Sequence, residues 1–371
     1  MRIVVTGGDG FIGRNLRVRL HELGFDAITN IERDATERQL RDALERADFV
    51  FHLAGVNRPV DVDEFERGNR GLTATVCRAL NEFGRKVPVA YTSSTQALAD
   101  NPYGASKRAG EREIETYAAE TGARTYVFRL TNVFGKWCRP NYNSAVATFC
   151  HNLMHGLPIT VNDPSAPLRL VYIDDVVEAM TRLVREPGRP DGAIDVSPVY
   201  ETTVGEVVSM LREFAASRTS GVSPRTGKGL TRALYATYVS YLPPAEFAYG
   251  LVRHADPRGV FAEMLKTPDC GQFSFFTAHP GVTRGGHYHH TKSEKFLVVK
   301  GKARFGFRQI VTDERHDLFV DGTQSRVVET VPGWAHDITN VGDDEMIVLL
   351  WANEVFDPDR PDTVAAPIAS R

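Results

Sequence analysis

The chain has 371 residues, 42% apolar and 25% charged, with a formal net charge of −3. That length suits two domains, and the composition is that of an ordinary soluble globular protein. The charge balance leaves no basic footprint for nucleic acid, and no apolar run approaches the roughly 20 residues of a membrane span, so neither nucleic-acid binding nor membrane insertion is expected. Met1-Arg2 leads straight into a strand, which predicts no signal peptide. Cys77, Cys138, Cys150 and Cys270 lack paired spacing. Free thiols in a reducing cytoplasm are the expectation.

Arg2-Ile3-Val4-Val5-Thr6 reads as a short buried strand. Gly7-Gly8-Asp9-Gly10-Phe11-Ile12-Gly13 follows at once, and Ile12, Leu16, Leu20 and Leu23 then recur at helical spacing. Strand, glycine turn and helix together form the context in which such a turn holds a dinucleotide. Gly7, Gly10 and Gly13 permit a tight turn and close approach of backbone to a pyrophosphate, which the helix N-terminus then faces. Gly7, Gly10, Phe11, Ile12 and Gly13 are therefore cofactor-binding candidates. A second strand, residues 27–31, ends in Glu32-Arg33, where the adenosine ribose is met. An acidic residue there favours the 2′-hydroxyl of NAD; Arg33 favours the 2′-phosphate of NADP. Both are present, and Arg33 tips the expectation to NADPH. The third strand leads into Leu53-Ala54-Gly55, small enough for backbone to approach the cofactor. His52, inside that apolar strand, reads as structural.

Residues 87–91 read as a further strand, followed by Thr92-Ser93-Ser94-Thr95. Tyr103 and Lys107, four residues apart, share one helix face. A cation held beside a Tyr lowers its pKa, making a proton donor or acceptor suited to carbonyl and alcohol chemistry. A strand over residues 125–130 continues the alternation, which predicts an α/β Rossmann-type, doubly wound parallel sheet. These segments, with Arg129-Leu130-Thr131-Asn132-Val133-Phe134-Gly135, resemble the extended short-chain dehydrogenase/reductases, most of which act on nucleotide sugars. The resemblance implies that Ser94, Tyr103 and Lys107 are the catalytic triad, that Tyr103 and Lys107 also touch the cofactor, and that Asn132 lies near the substrate diphosphate.

Residues 136–144 break the sheet rhythm with a polar, aromatic loop. Loops at the carboxyl ends of strands carry specificity. Asn141, Asn143 and Ser144 are candidates for the diphosphate or sugar, and Arg169 for a phosphate. Thr203-Val204-Gly205-Glu206 is a capping box opening a helix to about Phe214. A Ser-, Thr- and Gly-rich stretch over 215–229 reads as a loop. Leu230, Leu234, Tyr238 and Tyr241 form a helical packing stripe. Pro243-Pro244 ends that helix, giving domains at 1–243 and 244–371.

The second domain carries Gly281-(five residues)-His287-Tyr288-His289-(four)-Glu294-(six)-Gly301, which resembles the first motif of the cupins. Pro332-Gly333-Trp334-Ala335-His336-(three)-Asn340 resembles the second, with its Pro displaced. β-rich runs separated by glycine turns fit an all-β cupin barrel. His287, His289, Glu294 and His336 are candidate ligands of a divalent metal, whose identity the spacing leaves open. Asp256-Pro257-Arg258-Gly259-Val260-Phe261-Ala262-Glu263 is similar to the opening of cupin-fold nucleotide-sugar epimerases, implying that Arg258 and Glu263 meet nucleotide or sugar.

Both domains in one chain resemble the bifunctional CapF-type enzymes of capsule and O-antigen synthesis. The resemblance implies a cytoplasmic homodimer that uses NADPH and zinc on a UDP-linked 4-keto-6-deoxy amino sugar. It implies epimerisation at C3, then reduction at C4 to UDP-N-acetyl-6-deoxy-L-talosamine, a precursor of UDP-N-acetyl-L-fucosamine. A C4 ketone acidifies the C3 proton, and reduction removes that acidity, so epimerisation comes first. Two rivals are a reductase whose cupin only binds or dimerises, and a 4-epimerase that retains NAD.

Overall fold

The computed structural model describes residues 1–186, 188, 190–251, 253–256, 259–262, 265, 267, 271–354 and 357–368. The sequence candidates Arg258 and Glu263 lie outside the described residues. The chain divides into two compact units: residues 1–145 with 167–202, and residues 146–166 with 203–371.

The first half alternates strand and helix: β1 (Ile3–Thr6), α1 (Phe11–Glu22), β2 (Ile28–Ile31), α2 (Glu37–Arg46) and β3 (Phe49–His52). A short helix α3 (Asp63–Phe65) and a π-helical turn, Glu66–Gly71, lead into α4 (Leu72–Glu82). Then come β4 (Val89–Ser94), α5 (Pro102–Thr121), β5 (Thr125–Leu130), β6 (Asn132–Phe134), α6 (Ala145–Met154), β7 (Pro167–Tyr172), α7 (Ile173–Arg185), β8 (Gly192–Ala193) and β9 (Val199–Thr203). The main sheet runs β2-β1-β3-β4-β5-β8, with every pairing parallel. A smaller sheet runs β6-β7-β9. Successive strand residues alternate faces. Val4, Val50, Val89 and Tyr91 pack one face against Leu40, Leu44, Val76, Leu80, Ile114 and Tyr117 of α2, α4 and α5. Ile3, Val5, Phe49 and Phe51 are equally buried on the other. Each such aliphatic side chain contributes roughly 1.5–3 kcal/mol by leaving water. Strand order reverses between β1 and β3, and that switch point opens a crevice at the strands' carboxyl ends.

In the second unit, α8 (Val204–Ser220) opens on the expected capping box: Thr203 Oγ1 accepts from Glu206 N. The helix runs past Phe214, where the sequence reading ended it, because Ser217 is buried and satisfies its hydroxyl on the Phe214 carbonyl at 2.7 Å. Gly221, at φ 69°, then ends it in the left-handed conformation. After α9 (Gly229–Val239) the chain is almost entirely strand: β10 (Ala248–Gly250), β11 (Arg253–Asp256), β12 (Gly259–Ala262), β13 (Gln272–Ala278), β14 (Thr283–Tyr288), β15 (Glu294–Lys300), β16 (Lys302–Gln309), β17 (Arg315–Asp321), β18 (Arg326–Glu329), β19 (Trp334–Asn340), β20 (Met346–Ala352) and β21 (Val364–Ala365). Besides the antiparallel β11-β12 pair, two five-stranded antiparallel sheets result, β10-β18-β15-β20-β13 and β17-β16-β19-β14-β21. They pack face to face, with Phe296 of β15 edge-on to Phe305 of β16, centroids 5.7 Å apart. This is the all-β domain expected of the C-terminal part.

The compact division does not follow the 243/244 boundary drawn from Pro243-Pro244. Helices α8 and α9 belong with the β-domain, because their arginines reach its carboxylates. Arg218 lies 3.5 Å from Glu329, and Arg232 lies 2.8 Å from Glu354.

Candidate functional site

The β1–β3 crevice is a cleft of about 1980 Å³. Gly7, Gly10, Phe11, Ile12, Gly13, Arg33, Leu53, Ala54, Gly55, Ser94, Tyr103 and Lys107 all line it. The turn after β1 is tight: a Cβ on Gly13 would come within 2.3 Å of the Gly7 carbonyl oxygen. Glu32 accepts a 2.7 Å hydrogen bond from the Asp9 amide, tying the end of β2 to the glycine turn. The Arg33 side chain is 91% exposed and lies 3.7 Å from Glu64. His52 is structural, as expected. It bridges Thr6 (2.7 Å) and Thr73 (2.9 Å), and burial followed by the charge of Lys107 pulls its pKa down to about 3.

Asn101 caps α5 by accepting from Gly104 N at 2.8 Å, with Pro102 in the first turn. This sets Tyr103 and Lys107 one turn apart beside the end of β4. The Ser94 hydroxyl is near enough to the Tyr103 phenol to favour its ionised form. Lys107 is buried, donates to the Thr92 carbonyl at 3.1 Å and lies over the Tyr91 ring. A Cβ at Gly55 would come within 2.9 Å of Lys107 Nζ and 2.8 Å of Asn69 Oδ1, so a larger residue there would displace those side-chain ends. The expected lowering of the Tyr103 pKa is not found. Burial pushes it up, Ser94 offsets this only in part, and the ammonium of Lys107 is turned to the Thr92 carbonyl. Burial also pulls Lys107 down to about 8, with Glu111 opposing. Tyr103 is thus a protonated phenol at neutral pH, the state that can give a proton to a carbonyl oxygen.

Asn132, Asn143 and Arg169 line the same cleft, while Asn141 and Ser144 are not among its lining residues. Asn141 takes a left-handed φ of 55° that shapes the turn, and Ser144 hydrogen-bonds Cys138. Trp137, Arg139 and Tyr142, none singled out individually from sequence, do line the cleft. Their one signal was membership of a loop at the carboxyl end of a strand. Cys77, Cys138 and Cys150 are buried, and none is in a disulfide among the described residues.

In the β-domain, ligand atoms of His287, His289, Glu294 and His336 all lie within 4.8 Å of one another. The sequence reading placed them on adjacent strands, which holds for β14 and β19, where His287 pairs with His336. Glu294 comes instead from β15 in the facing sheet, and His289 from just past the end of β14. A bulge at Gly286 re-aims the strand, with Gly285 and Gly286 at φ 96° and 79°. Tyr288 and His290 alternate to the other side, their rings 5.4 Å apart. His289 Nδ1 bonds the Asp362 carbonyl, which turns Nε2 to Glu294 at 3.2 Å. His336 Nε2 lies 3.3 Å from Glu294, yet neither of its ring nitrogens makes a well-aligned hydrogen bond among the described residues. Burial, then the neighbouring imidazoles, pulls His287 down to about 3, and burial also lowers His336. Burial opposes the charge on Glu294, but the hydrogen bond with His289 and the nearby His336 ring hold its pKa well below the usual range. Unprotonated His287 and His336 beside an ionised carboxylate suit a cation, and the His336 nitrogens, without a well-aligned hydrogen bond among the described residues, fit one. Asp362 was invisible in sequence: it accepts from the amides of His290 (2.8 Å), Thr291 (2.7 Å) and Lys292 (2.7 Å), some 70 residues away.

Residues 3–196 match the NAD dependent epimerase/dehydratase family, and residues 254–364 match the polysaccharide biosynthesis C-terminal domain. UDP-2-acetamido-2,6-beta-L-arabino-hexul-4-ose reductase of Pseudomonas aeruginosa is 53% identical over 368 residues, 99% of each chain. The crystal structure of the capsular polysaccharide assembling protein CapF from Staphylococcus aureus is 43% identical, with a TM-score of 0.69 over 99% of this chain and 100% of that one. CapF with the inhibitor 3-isopropenyl-tropolone is 39% identical, with a TM-score of 0.64 over the same shares.

Proposed function

Because the chain belongs to the CapF-type members of the NAD dependent epimerase/dehydratase family, we propose that it reduces the C4 ketone of a UDP-linked 2-acetamido-2,6-dideoxy sugar with NADPH. We extend the proposal to C3 epimerisation in the β-domain before reduction, giving UDP-N-acetyl-6-deoxy-L-talosamine. The observation that carries the reductase reading is the meeting of Ser94, Tyr103 and Lys107 with the glycine turn in one cleft. The test is incubation with NADPH and a panel of UDP-4-keto-6-deoxy sugars, with the products read by NMR.

A bound nicotinamide supplies hydride to C4. Ser94 holds the carbonyl oxygen by a hydrogen bond, and the Tyr103 phenol gives that oxygen its proton. In this reading Lys107, charged below about pH 8, turns from the Thr92 carbonyl to the phenolate that remains once Tyr103 has given up its proton. The activity therefore has a pH signature. Deprotonating Lys107 removes its charge, so kcat/KM for the sugar should fall as pH rises through about 8. A pH–rate profile flat to beyond pH 10 would remove Lys107 from this role.

For cofactor choice, an almost wholly exposed Arg33 at the cleft rim supports a 2′-phosphate partner, as does the engagement of Glu32 with Asp9 N. Arg33→Ala should raise KM for NADPH roughly 10- to 100-fold, the worth of a charge-assisted hydrogen bond, and leave KM for NADH nearly unchanged. Equal effects on both cofactors would refute the pairing.

His287, His289, Glu294 and His336 would hold the divalent cation, zinc in our reading. When bound, it supplies Lewis acidity beside a developing enolate. Tropolone presents adjacent carbonyl and hydroxyl oxygens, a chelating pair, so its action on CapF supports a metal in the family. A homodimer is part of the same reading. Phe273 and Phe275, on the edge strand β13, are 54% and 70% exposed and supply apolar surface for a second copy. No helix among the described residues is long and apolar enough to cross a membrane.

A further inference from the structure

Lys136 is a buried charged side chain that the reaction above leaves unused, and it sits in sequence directly before the run that carries the cleft-lining Trp137, Arg139 and Tyr142. It follows β6 and is only 1% exposed, and its Nζ lies 2.6 Å from Asp174 Oδ1 and 5.4 Å from the centre of the Trp137 ring. Asp174 stands in the first turn of α7, where a helix N-terminus favours a carboxylate. The backbone is fixed at the same point: the Lys136 carbonyl accepts from Asn15 Nδ2 of α1 at 3.3 Å. Gly135 crosses the start of α7 so closely that a Cβ would meet Ile173 at 2.1 Å. Trp137 then takes φ 66°, a left-handed conformation that a bulky residue keeps only where its surroundings impose it. Beyond this anchored turn, Trp137, Arg139, Tyr142 and Asn143 face the cleft, with Arg139 over the Tyr142 ring at 5.5 Å. A guanidinium suits a diphosphate, and aromatic faces suit a base or sugar ring. Burying an ammonium is costly unless its partner is well placed, so the arrangement points to a need for a defined geometry.

We propose that Lys136 is a positioning residue: locked on Asp174, it holds the turn that presents Trp137, Arg139, Tyr142 and Asn143 to the nucleotide-sugar substrate. The inference rests on the reading of this cleft as a UDP-sugar reductase site. Lys136 touches no reacting atom. It acts on substrate affinity by keeping one wall of the cleft in place.

The test uses the full chain with both charges removed together. K136M/D174L exchanges the ion pair for apolar side chains and leaves no lone buried charge, a change proteins tolerate well. KM for the UDP-4-keto sugar should rise about 10-fold or more, as misplacement of binding groups predicts. KM for NADPH and kcat at saturating sugar should stay within about threefold, since the glycine turn and Tyr103 are untouched. A normal sugar KM in the folded variant overturns the proposal, and so does an equal rise in both KM values. Should that variant not fold, Asp174→Asn keeps the shape while removing the partner charge, and a normal sugar KM there overturns it equally. Binding of UDP alone, followed by tryptophan fluorescence, separates this proposal from the reductase reading. If wild type binds UDP but oxidises no NADPH, the reductase reading fails, and weakened UDP binding in the variant still supports the anchored wall. If wild type binds no UDP, both fall.

Discussion

Replacing Tyr103 by Phe should lower NADPH oxidation roughly 10²- to 10⁴-fold, the usual contribution of a positioned general acid. The substitution takes away one hydroxyl and leaves the scaffold. The ring keeps its contact with Phe65 at 5.6 Å, and the cap from Asn101 to Gly104 N is backbone on the α5 side. Melting temperature and NADPH affinity should therefore match wild type, the loss appearing in kcat. If Ser94 and Tyr103 serve the same oxygen, as proposed, Ser94→Ala added to Tyr103→Phe should cost much less than the product of the single effects. Near-normal turnover by Tyr103→Phe, with binding intact, would dismiss the assignment.

Much of that site was readable because its signals are local. A glycine turn between strand and helix and a Tyr-Lys pair one turn apart are short-range patterns, and the parallel sheet brings them to one crevice. The direction of the Tyr103 pKa was not readable. Burial and the exact target of the Lys107 ammonium decide it, and both are tertiary facts. The convergence of His287, His289, Glu294 and His336 was legible as a set, whereas the supply of Glu294 by the facing sheet was not, since spacing along a chain cannot say which sheet a strand joins. Asp362 lies beyond any local motif, and Trp137 reads as an ordinary loop aromatic until its backbone is seen in the left-handed region. The helix end at Ser220 was missed because Ser217 is a poor helix former by composition, but its buried hydroxyl finds a carbonyl one turn back.

The second large effect concerns the four-residue cluster of the β-domain. The purified chain should carry about one divalent ion, and His336→Ala should lose it, because a buried set of three imidazoles and one carboxylate has little reason to converge without a cation. With a UDP-4-keto sugar in deuterated water and no NADPH, wild type should exchange the C3 proton. Chelated protein and His336→Ala should exchange at least roughly 10²-fold more slowly, the scale expected when a developing oxyanion loses its stabilising charge. The reductase half provides an internal control. Given sugar already epimerised at C3, both the chelated and the mutant protein should oxidise NADPH at close to the wild-type rate, since Ser94, Tyr103 and Lys107 lie on β4 and α5 of the other compact unit. A purely structural metal would behave differently. Four protein ligands can close a tetrahedral site, and metal loss would then unfold the β-domain, with melting and exchange failing together. Folded, metal-free protein that still exchanges at full rate would refute a catalytic metal. Metal-loaded protein that never exchanges would refute the epimerase while leaving the reductase standing.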